Sequence, residues 1–134
     1  MFVHSLQICL YAHMLIESSS DQKQMQEVFE NVSGYFSLFA EPMRLRILYA
    51  LCNGEQTVAQ IVAQSASTQA NVSRHLNLLY RAKVLTRRKD GTHVHYSILN
   101  HGALAICKTV CREIASEMGY PADLIDGRIV KQNE

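Results

Sequence analysis

The sequence predicts a mainly helical α+β fold, and two stretches carry this prediction. Residues 57–81 contain two helix-capping patterns separated by a short polar turn, which indicates two successive short helices. Residues 84–99 contain two alternating segments around Asp90-Gly91, which indicates a β-hairpin. This order is typical of a winged helix-turn-helix with about five helices and a two-stranded wing.

Two further helices are predicted before residue 57. Residues 18–21 offer several helix caps, and apolar side chains then recur at helical spacing up to Ala40. Pro42 suits the first turn of a second helix, which Gly54 ends. The apolar residues of the two helices are Met25, Val28, Phe29, Val32, Phe36 and Phe39, and then Leu45, Leu48, Leu51 and Cys52.

The helix-turn-helix begins at Thr57, which forms a capping-box pattern with Gln60. Residues 65–67 form the turn, and Thr68 can cap the next helix. In that helix Val72, Leu76 and Leu79 share one face, which we expect to point inward. The opposite face, which makes this the candidate recognition helix, carries Gln69, Ala70, Asn71, Ser73, Arg74 and Asn77.

The wing and a last helix follow. Strands are predicted at residues 84–89 and 92–99, joined by Asp90-Gly91, a dipeptide that tolerates positive φ angles. Alternation places Val94, Tyr96 and Ile98 inward and His93, His95 and Ser97 outward. The last helix, from about Gly102 to Met118, has an apolar stripe that predicts a partner helix. The stripe consists of Leu104, Cys107, Cys111, Ile114 and Met118.

The length of 134 residues, with 48% hydrophobic residues and two prolines, predicts one domain with a packed core. We assign this domain to residues 21–118, with a partly mobile tail at 119–134 and an N-terminal extension at 1–20. The apolar residues 1–16 lack Lys and Arg and include Gln7 and His13, so we expect neither secretion nor a membrane span. The extension is either an interface helix or upstream translation before a start at Met14 or Met25.

Charge is distributed unevenly along the chain. Residues 68–99 contain six basic residues and Asp90 as their one acid, a net +5, whereas the other 102 residues balance 7 basic against 11 acidic residues, a net −4. A local basic surface on a near-neutral chain predicts contact with the phosphates of duplex DNA. An enzyme is not expected, because the chain has no glycine-rich phosphate loop, no metal hydrolase motif and no nucleophile with an identifiable base.

The start of a recognition helix enters the major groove, where Gln and Asn can bond adenine and Arg can bond guanine. We therefore expect base contacts from Gln69, Asn71, Ser73 and Arg74, although Asn71 and Ser73 could instead support the first turn. Thr68 and His93 are further candidate contacts. His75 is a weaker one, because a histidine beside a core leucine is more often structural. At the wing, backbone or minor-groove contacts are predicted for Arg87, Arg88 and Lys89.

Four cysteines at irregular spacing predict free thiols in a reducing cytoplasm. Cys107 and Cys111 are four residues apart, so both lie on one helix face, either as core filler or as a sensor. A disulfide between them would strain the helix, whereas a soft metal or metalloid ion can bridge them. The alternative is oxidation or persulfide bridging that pairs one of them with Cys52 or with the other subunit.

The chain resembles the ArsR/SmtB family of bacterial metal- and stress-responsive repressors over residues 36–118. The motifs that carry the resemblance are residues 40–48 (AEPMRLRIL), 69–76 (QANVSRHL) and 90–96 (DGTHVHY). It implies a homodimer held by the first and last helices, which binds a partly palindromic operator and leaves it when an effector binds. Ala66 and Lys83 replace two glycines of the family, so these residues are expected to adopt positive φ.

The resemblance also removes two metal sites. The cysteines that many arsenic sensors carry at the start of the third helix are replaced by Thr57 and Ala59. Zinc sensors have Asp-x-His before the last helix and His-x-x-Glu on it, where this chain has residues 100–102 (NHG) and 113–116 (EIAS).

The function predicted from the sequence is a homodimeric repressor of operator DNA, released by a thiol-directed inducer at Cys107 and Cys111. The alternative is a winged-helix protein-interaction module whose basic wing binds an acidic partner.

Overall fold

The computed structural model describes residues 19–126, which form five helices and a small antiparallel sheet. The prediction of a winged helix-turn-helix is confirmed. The predictions for residues 1–18 and 127–134 lie outside the described residues. The elements are α1 (Ser19–Ser37), α2 (Pro42–Leu51), β1 (Gln56–Thr57), α3 (Val58–Ser65), α4 (Gln69–Arg81), β2 (Leu85–Asp90), β3 (His93–Ile98), α5 (His101–Glu117) and a 3-10 turn at Ala122–Leu124.

The chain divides into two compact units, one ending at Ser37 and one beginning at Leu38. In the first unit α1 is a single helix that ends at Ser37, three residues before the predicted end at Ala40. The Ser37 hydroxyl donates to the carbonyl of Gly34 at 2.6 Å, a local bond that competes with continuation of the helix. The exposed apolar residues of α1 are Val28, Phe29, Val32 and Phe36.

The core of the second unit lies between its helices and its sheet. The Glu41 side chain accepts the backbone N–H of Arg44 at 3.1 Å and starts α2, with Pro42 at the first position. The predicted inward face of α4 is confirmed, because Val72, Leu76 and Leu79 are all fully buried. Each such side chain contributes about 1.5–3 kcal/mol by leaving water. The other large side chains that are fully buried are Ile47, Leu48, Leu51, Ile61, Val84 and Leu85.

The predicted caps and turns around α3 and α4 are present. Thr57 and Gln60 form a reciprocal capping box, with bonds of 3.2 and 2.8 Å. The Thr68 hydroxyl accepts the N–H of Asn71 at 3.2 Å and starts α4. Ala66 and Lys83 have φ angles of 51° and 59°, so the prediction of two non-glycine residues in the left-handed region is confirmed.

The sheet corrects two predictions about the wing. It has three strands in the order β1-β3-β2, because Gln56 and Thr57 pair with β3 and extend the predicted two-stranded hairpin. The hairpin loop is Gly91-Thr92, one residue later than predicted, because Asp90 is paired with His93. Gly91 alone then takes a positive φ, 59°, as a type II′ turn requires at its first position.

The last helix begins where Asn100 accepts the N–H of Ala103 at 3.0 Å. Its predicted apolar stripe is divided between two environments. Leu104, Cys107 and Cys111 are half-buried. The other two stripe residues, Ile114 and Met118, are 48% and 63% exposed. Ile106 and Val110, outside the stripe, are 42% and 54% exposed, so much apolar surface of α5 faces outward. No helix within residues 19–126 is long and apolar enough to cross a membrane.

Candidate functional site

The first turns of α4 form a connected polar surface. The Asn71 amide donates to the Ser67 hydroxyl at 2.9 Å, and its oxygen accepts from Nη2 of Arg74 at 3.0 Å. Gln69 and Arg74 are exposed, whereas Asn71 and Ser73 are half-buried. Asn71 thus holds Arg74 against the start of the helix. This arrangement favours the alternative in which Asn71 supports the first turn of α4. Base contact by these residues and by Thr68 stays a prediction.

His75 lies beneath this surface, with only 5% of the residue exposed. Its Nδ1 lies 3.4 Å from Nη1 of Arg44, and its Nε2 lies 3.4 Å from Nη2 of Arg74 and 3.7 Å from Glu41. Burial lowers the pKa of the imidazole, Glu41 raises it, and Arg74 and Arg44 lower it further. Burial therefore favours the neutral imidazole, which contacts Arg74 from below. Base contact by His75 stays a prediction.

Arg87 connects the wing to the recognition helix. Its guanidinium carbon lies 4.0 Å from the centre of the Tyr80 ring, within cation–π range, and its Nη1 lies 3.4 Å from the Tyr96 hydroxyl. Strand alternation places Lys89 on the same face of the hairpin as Arg87. Lys89 is exposed and makes no hydrogen bond or ion pair with any residue between 19 and 126. His93, at the hairpin end, is exposed as well.

Arg88 points to the other face of the hairpin and is already occupied. Its Nε lies 3.0 and 2.8 Å from the two carboxylate oxygens of Glu55, and its Nη2 lies 2.6 Å from one of them. These bonds hold the pKa of Glu55 below its ordinary value. Asp90 lies 3.7 Å from Nη1 of Arg88, and His95 lies 3.5 Å from Glu55. Glu55 is not among the predicted site residues, because it precedes Arg88 by 33 residues and belongs to no motif.

Three cysteines surround one small cavity between α2 and α5. Cys52, Cys107 and Cys111 line a space of about 50 Å³ together with Lys108, and all three thiols are free and half-buried. The other lining residues are Leu45, Leu48, Tyr49, Leu104 and Ile125. The predicted pairing of a last-helix cysteine with Cys52 therefore joins residues of one cavity.

Burial disfavours the thiolate form of two of these three cysteines, Cys52 and Cys107. Burial raises the pKa of Cys52, which Lys108 lowers and Cys111 raises, and burial likewise raises the pKa of Cys107 with a smaller contribution from Cys111. No three His, Cys, Asp or Glu side chains within residues 19–126 are arranged to hold a metal ion. A larger open cavity of about 660 Å³, lined by Arg46, Tyr49 and Gln64 among others, reaches Cys111 from outside.

Comparison with known proteins matches this architecture to one family. Residues 41–86 match the family model "Bacterial regulatory protein, arsR family". An uncharacterized HTH-type transcriptional regulator of Methanocaldococcus jannaschii is 35% identical over 85 residues, which are 63% of this chain and 96% of that protein. The chain belongs to the ArsR family. The expectation that it is not an enzyme is confirmed, because this family consists of DNA-binding transcriptional regulators.

Two further comparisons bear on sequence and fold. The probable mercury resistance operon repressor of Streptomyces lividans is 32% identical over 69 residues, covering 52% of this chain and 55% of that protein. The crystal structure of the transcriptional regulator HlyU from Vibrio vulnificus is 28% identical and superposes with a TM-score of 0.60, covering 67% of this chain and 94% of that one. The chain is thus a DNA-binding transcriptional regulator with this family's winged-helix fold.

The buried, neutral state of His75 predicts loss of stability in acid. The folded pKa lies below the unfolded value of about 6.5, so the stability that neutral His75 contributes is present above that pH and is lost as the pH falls through the folded pKa. In urea titrations at a series of pH values, His75→Gln should flatten the acid decrease in the free energy of unfolding. His93→Gln, at an exposed histidine, should keep the wild-type slope; equal slopes for wild type and His75→Gln would contradict the assignment.

Proposed function

We propose that this chain is a homodimeric ArsR-family repressor that binds operator DNA through α4 and the wing and is released by a thiol-directed inducer in the cytoplasm. The observation that carries the DNA-binding part is the start of α4. There an exposed arginine, Arg74, is held by a hydrogen bond to Asn71 on a helix whose opposite face is buried. A charged side chain fixed in this way is suited to reading a guanine edge in the major groove.

The proposed contacts follow from exposure and charge. Gln69, Ser73 and Arg74 would meet base edges, with Thr68 and Asn71 supporting the first turn and Asn71 available to an adenine. His75 would act from below by positioning Arg74, to which its Nε2 approaches within 3.4 Å. Lys89 and His93 would contact the backbone from the wing tip, and Arg87 would do so from its position over Tyr80. Arg88 is the exception, because Glu55 occupies its guanidinium.

A second copy of this chain is the proposed partner of the exposed apolar faces. Val110 and Ile114 on α5, and Met118 at its C-cap, are 48–63% exposed. Spaced four residues apart, they form an apolar patch on one face of the helix, unlike single apolar residues scattered over a surface. Val28, Phe29 and Phe36 on α1 are likewise 50–59% exposed. Symmetric dimers are the commonest soluble assemblies, and a dimer presents two recognition helices to the two halves of a palindrome. The resemblance to the ArsR/SmtB family supports the same two helices as the interface.

The cavity of Cys52, Cys107 and Cys111 is the proposed inducer site. A soft ion could bridge Cys107 and Cys111 on α5, as the name of the related mercury resistance repressor suggests. Alternatively, a reactive sulfur species or an oxidant could link α5 to α2 through Cys52. In both cases the reacting thiols must give up their protons. An inducer that binds the DNA-incompetent dimer better by about 3 kcal/mol would weaken operator binding about a hundredfold.

Salt titration of DNA binding tests the interface. If wild type contacts about six to ten phosphates, its affinity for the duplex upstream of its own gene should fall about 10³- to 10⁵-fold between about 50 and 200 mM salt. Arg74→Gln should cost about 1–3 kcal/mol on that duplex and less on a scrambled one, because it removes a base contact. Lys89→Ala should weaken both duplexes equally and reduce the salt slope by about 1.

Arg112→Gln, which changes a cation on α5, serves as the charge control for this titration. Absence of binding to any duplex, in a folded protein, would contradict the proposal and favour the protein-interaction module with an acidic partner.

The dimer proposal predicts that a charge on the exposed face of α5 separates the subunits. Sedimentation equilibrium of wild type should give twice the chain mass of 15.1 kDa. Val110→Glu should shift the mass toward one chain with unchanged far-ultraviolet circular dichroism, because a carboxylate would be buried unpaired in the interface. Thr109→Glu, one residue away, should remain dimeric. A monomeric wild type at micromolar concentration would contradict the proposal.

Serine variants of the cysteines test the inducer site and distinguish its two chemistries. The Cys107→Ser/Cys111→Ser double variant should bind DNA as wild type does but keep it in the presence of arsenite, mercuric ion, peroxide or a persulfide donor. Cys52→Ser should keep the response if an ion bridges the two α5 thiols, and lose it if α5 is linked to α2. Release of DNA by the double variant in an anisotropy assay would refute the thiol assignment.

A further inference from the structure

The contact between Glu55 and Arg88 joins three strands. Glu55 directly precedes β1, Thr57 of β1 pairs with His95 of β3, and His95 pairs with Arg88 of β2. The carboxylate therefore reaches across the middle strand to an arginine on the outer strand. Two guanidinium nitrogens and both carboxylate oxygens take part, at 2.6 to 3.0 Å. This forked geometry is the strongest form of arginine–carboxylate pairing and is the same geometry that arginine uses on phosphate.

This pairing changes the charge that the wing presents. Arg88, Glu55 and Asp90 together carry a net charge of −1, and Glu55 lies outside the segment 68–99 to which the sequence assigns a net +5. Arg88 is nevertheless on the surface, with its side chain 55% exposed. It is a cation at the predicted DNA interface whose phosphate-binding edge is filled by the protein's own carboxylate. Lys89, the next residue, has no such partner among the described residues.

We propose that Glu55 is an intramolecular competitor of DNA phosphate that withholds Arg88 from the backbone and so limits the sequence-independent affinity of the regulator. The proposal rests on the DNA-binding function proposed above. A carboxylate fixed at 2.6–3.0 Å is present at a far higher local concentration than any phosphate, so Arg88 stays on Glu55 in the complex. The benefit concerns specificity, because backbone contacts strengthen binding to every duplex, whereas base contacts strengthen binding to the operator alone.

The test is a double-substitution cycle on the full chain, read by fluorescence anisotropy with the upstream duplex and a scrambled duplex. At about 0.1 M salt, Glu55→Gln should increase affinity for both duplexes about five- to tenfold for each Arg88 that it frees. Each freed Arg88 should also steepen the slope of log affinity against log salt concentration by about 0.9. Arg88→Ala alone should change affinity less than about twofold, because Arg88 contacts no phosphate while Glu55 holds it. In the Arg88→Ala background, Glu55→Gln should have no effect.

Asp90→Asn provides the matched control, because it removes the same charge from the wing at 3.7 Å from Arg88 without breaking the forked pair. It should leave the salt slope nearly unchanged. Thermal unfolding and circular dichroism of each variant establish that the wing is folded, and an exposed ion pair contributes little to stability. Arg88→Ala leaves Glu55 in place, so it gives an answer even if Glu55→Gln destabilises the sheet.

Three results would overturn the proposal. An affinity increase by Glu55→Gln that persists without Arg88 would mean a general charge effect. A loss of affinity in Arg88→Ala as large as that in Lys89→Ala would mean that Arg88 already contacts DNA. A decrease in affinity in folded Glu55→Gln would mean that Glu55 presents Arg88 to DNA. Failure of the DNA-binding function itself is distinguishable, because wild type would then bind neither duplex.

Discussion

The burial of one face of α4 is the constraint on which the rest of the second unit depends. Val72, Leu76 and Leu79 have no exposed surface, so the rotation of this helix about its axis is fixed. That rotation leaves Gln69 and Arg74 on the outside and turns His75 inward. The caps at Thr57 and Thr68 set where α3 and α4 begin. After α4 the chain enters β2 through Val84 and Leu85, which are buried in the same core. The polar surface proposed to bind DNA is therefore set by the packing of the core.

Charge on this surface is governed by contacts within the protein as much as by residue type. Of the three consecutive wing cations, Arg87 stacks on Tyr80, Arg88 is paired with Glu55, and Lys89 extends into solvent. Because strand alternation separates Arg87 from Arg88, these neighbours face opposite sides of the hairpin. A count of basic residues therefore overstates the cations available to a polyanion. Which ones remain available depends on aromatic and acidic residues contributed by other elements.

Local patterns predicted the helices, both caps and the inward face of α4, because each depends on residues within a few positions of one another. The hairpin loop was displaced by one residue because Asp90-Gly91 and Gly91-Thr92 both place a glycine in the turn, and only strand pairing chooses between them. Strand β1 was missed because two residues cannot show alternation. The pairing of Glu55 with Arg88 could not be foreseen, since it depends on tertiary packing between residues far apart in the sequence. For the same reason the approach of Cys52 to α5 could be predicted only as one of two alternatives.

The turns at Ala66 and Lys83 stand on either side of α4, the helix proposed to read DNA. A left-handed conformation costs a residue with a side chain about 1–2 kcal/mol, and glycine would remove that cost. Glycine would also widen the range of angles open to each joint. With Ala66 and Lys83 in place of glycine, the chain loses some stability, but the turns at both ends of α4 are more rigid. Such turns favour rigid-body motion of the helix-turn-helix and wing together over rotation of α4 relative to the elements around it.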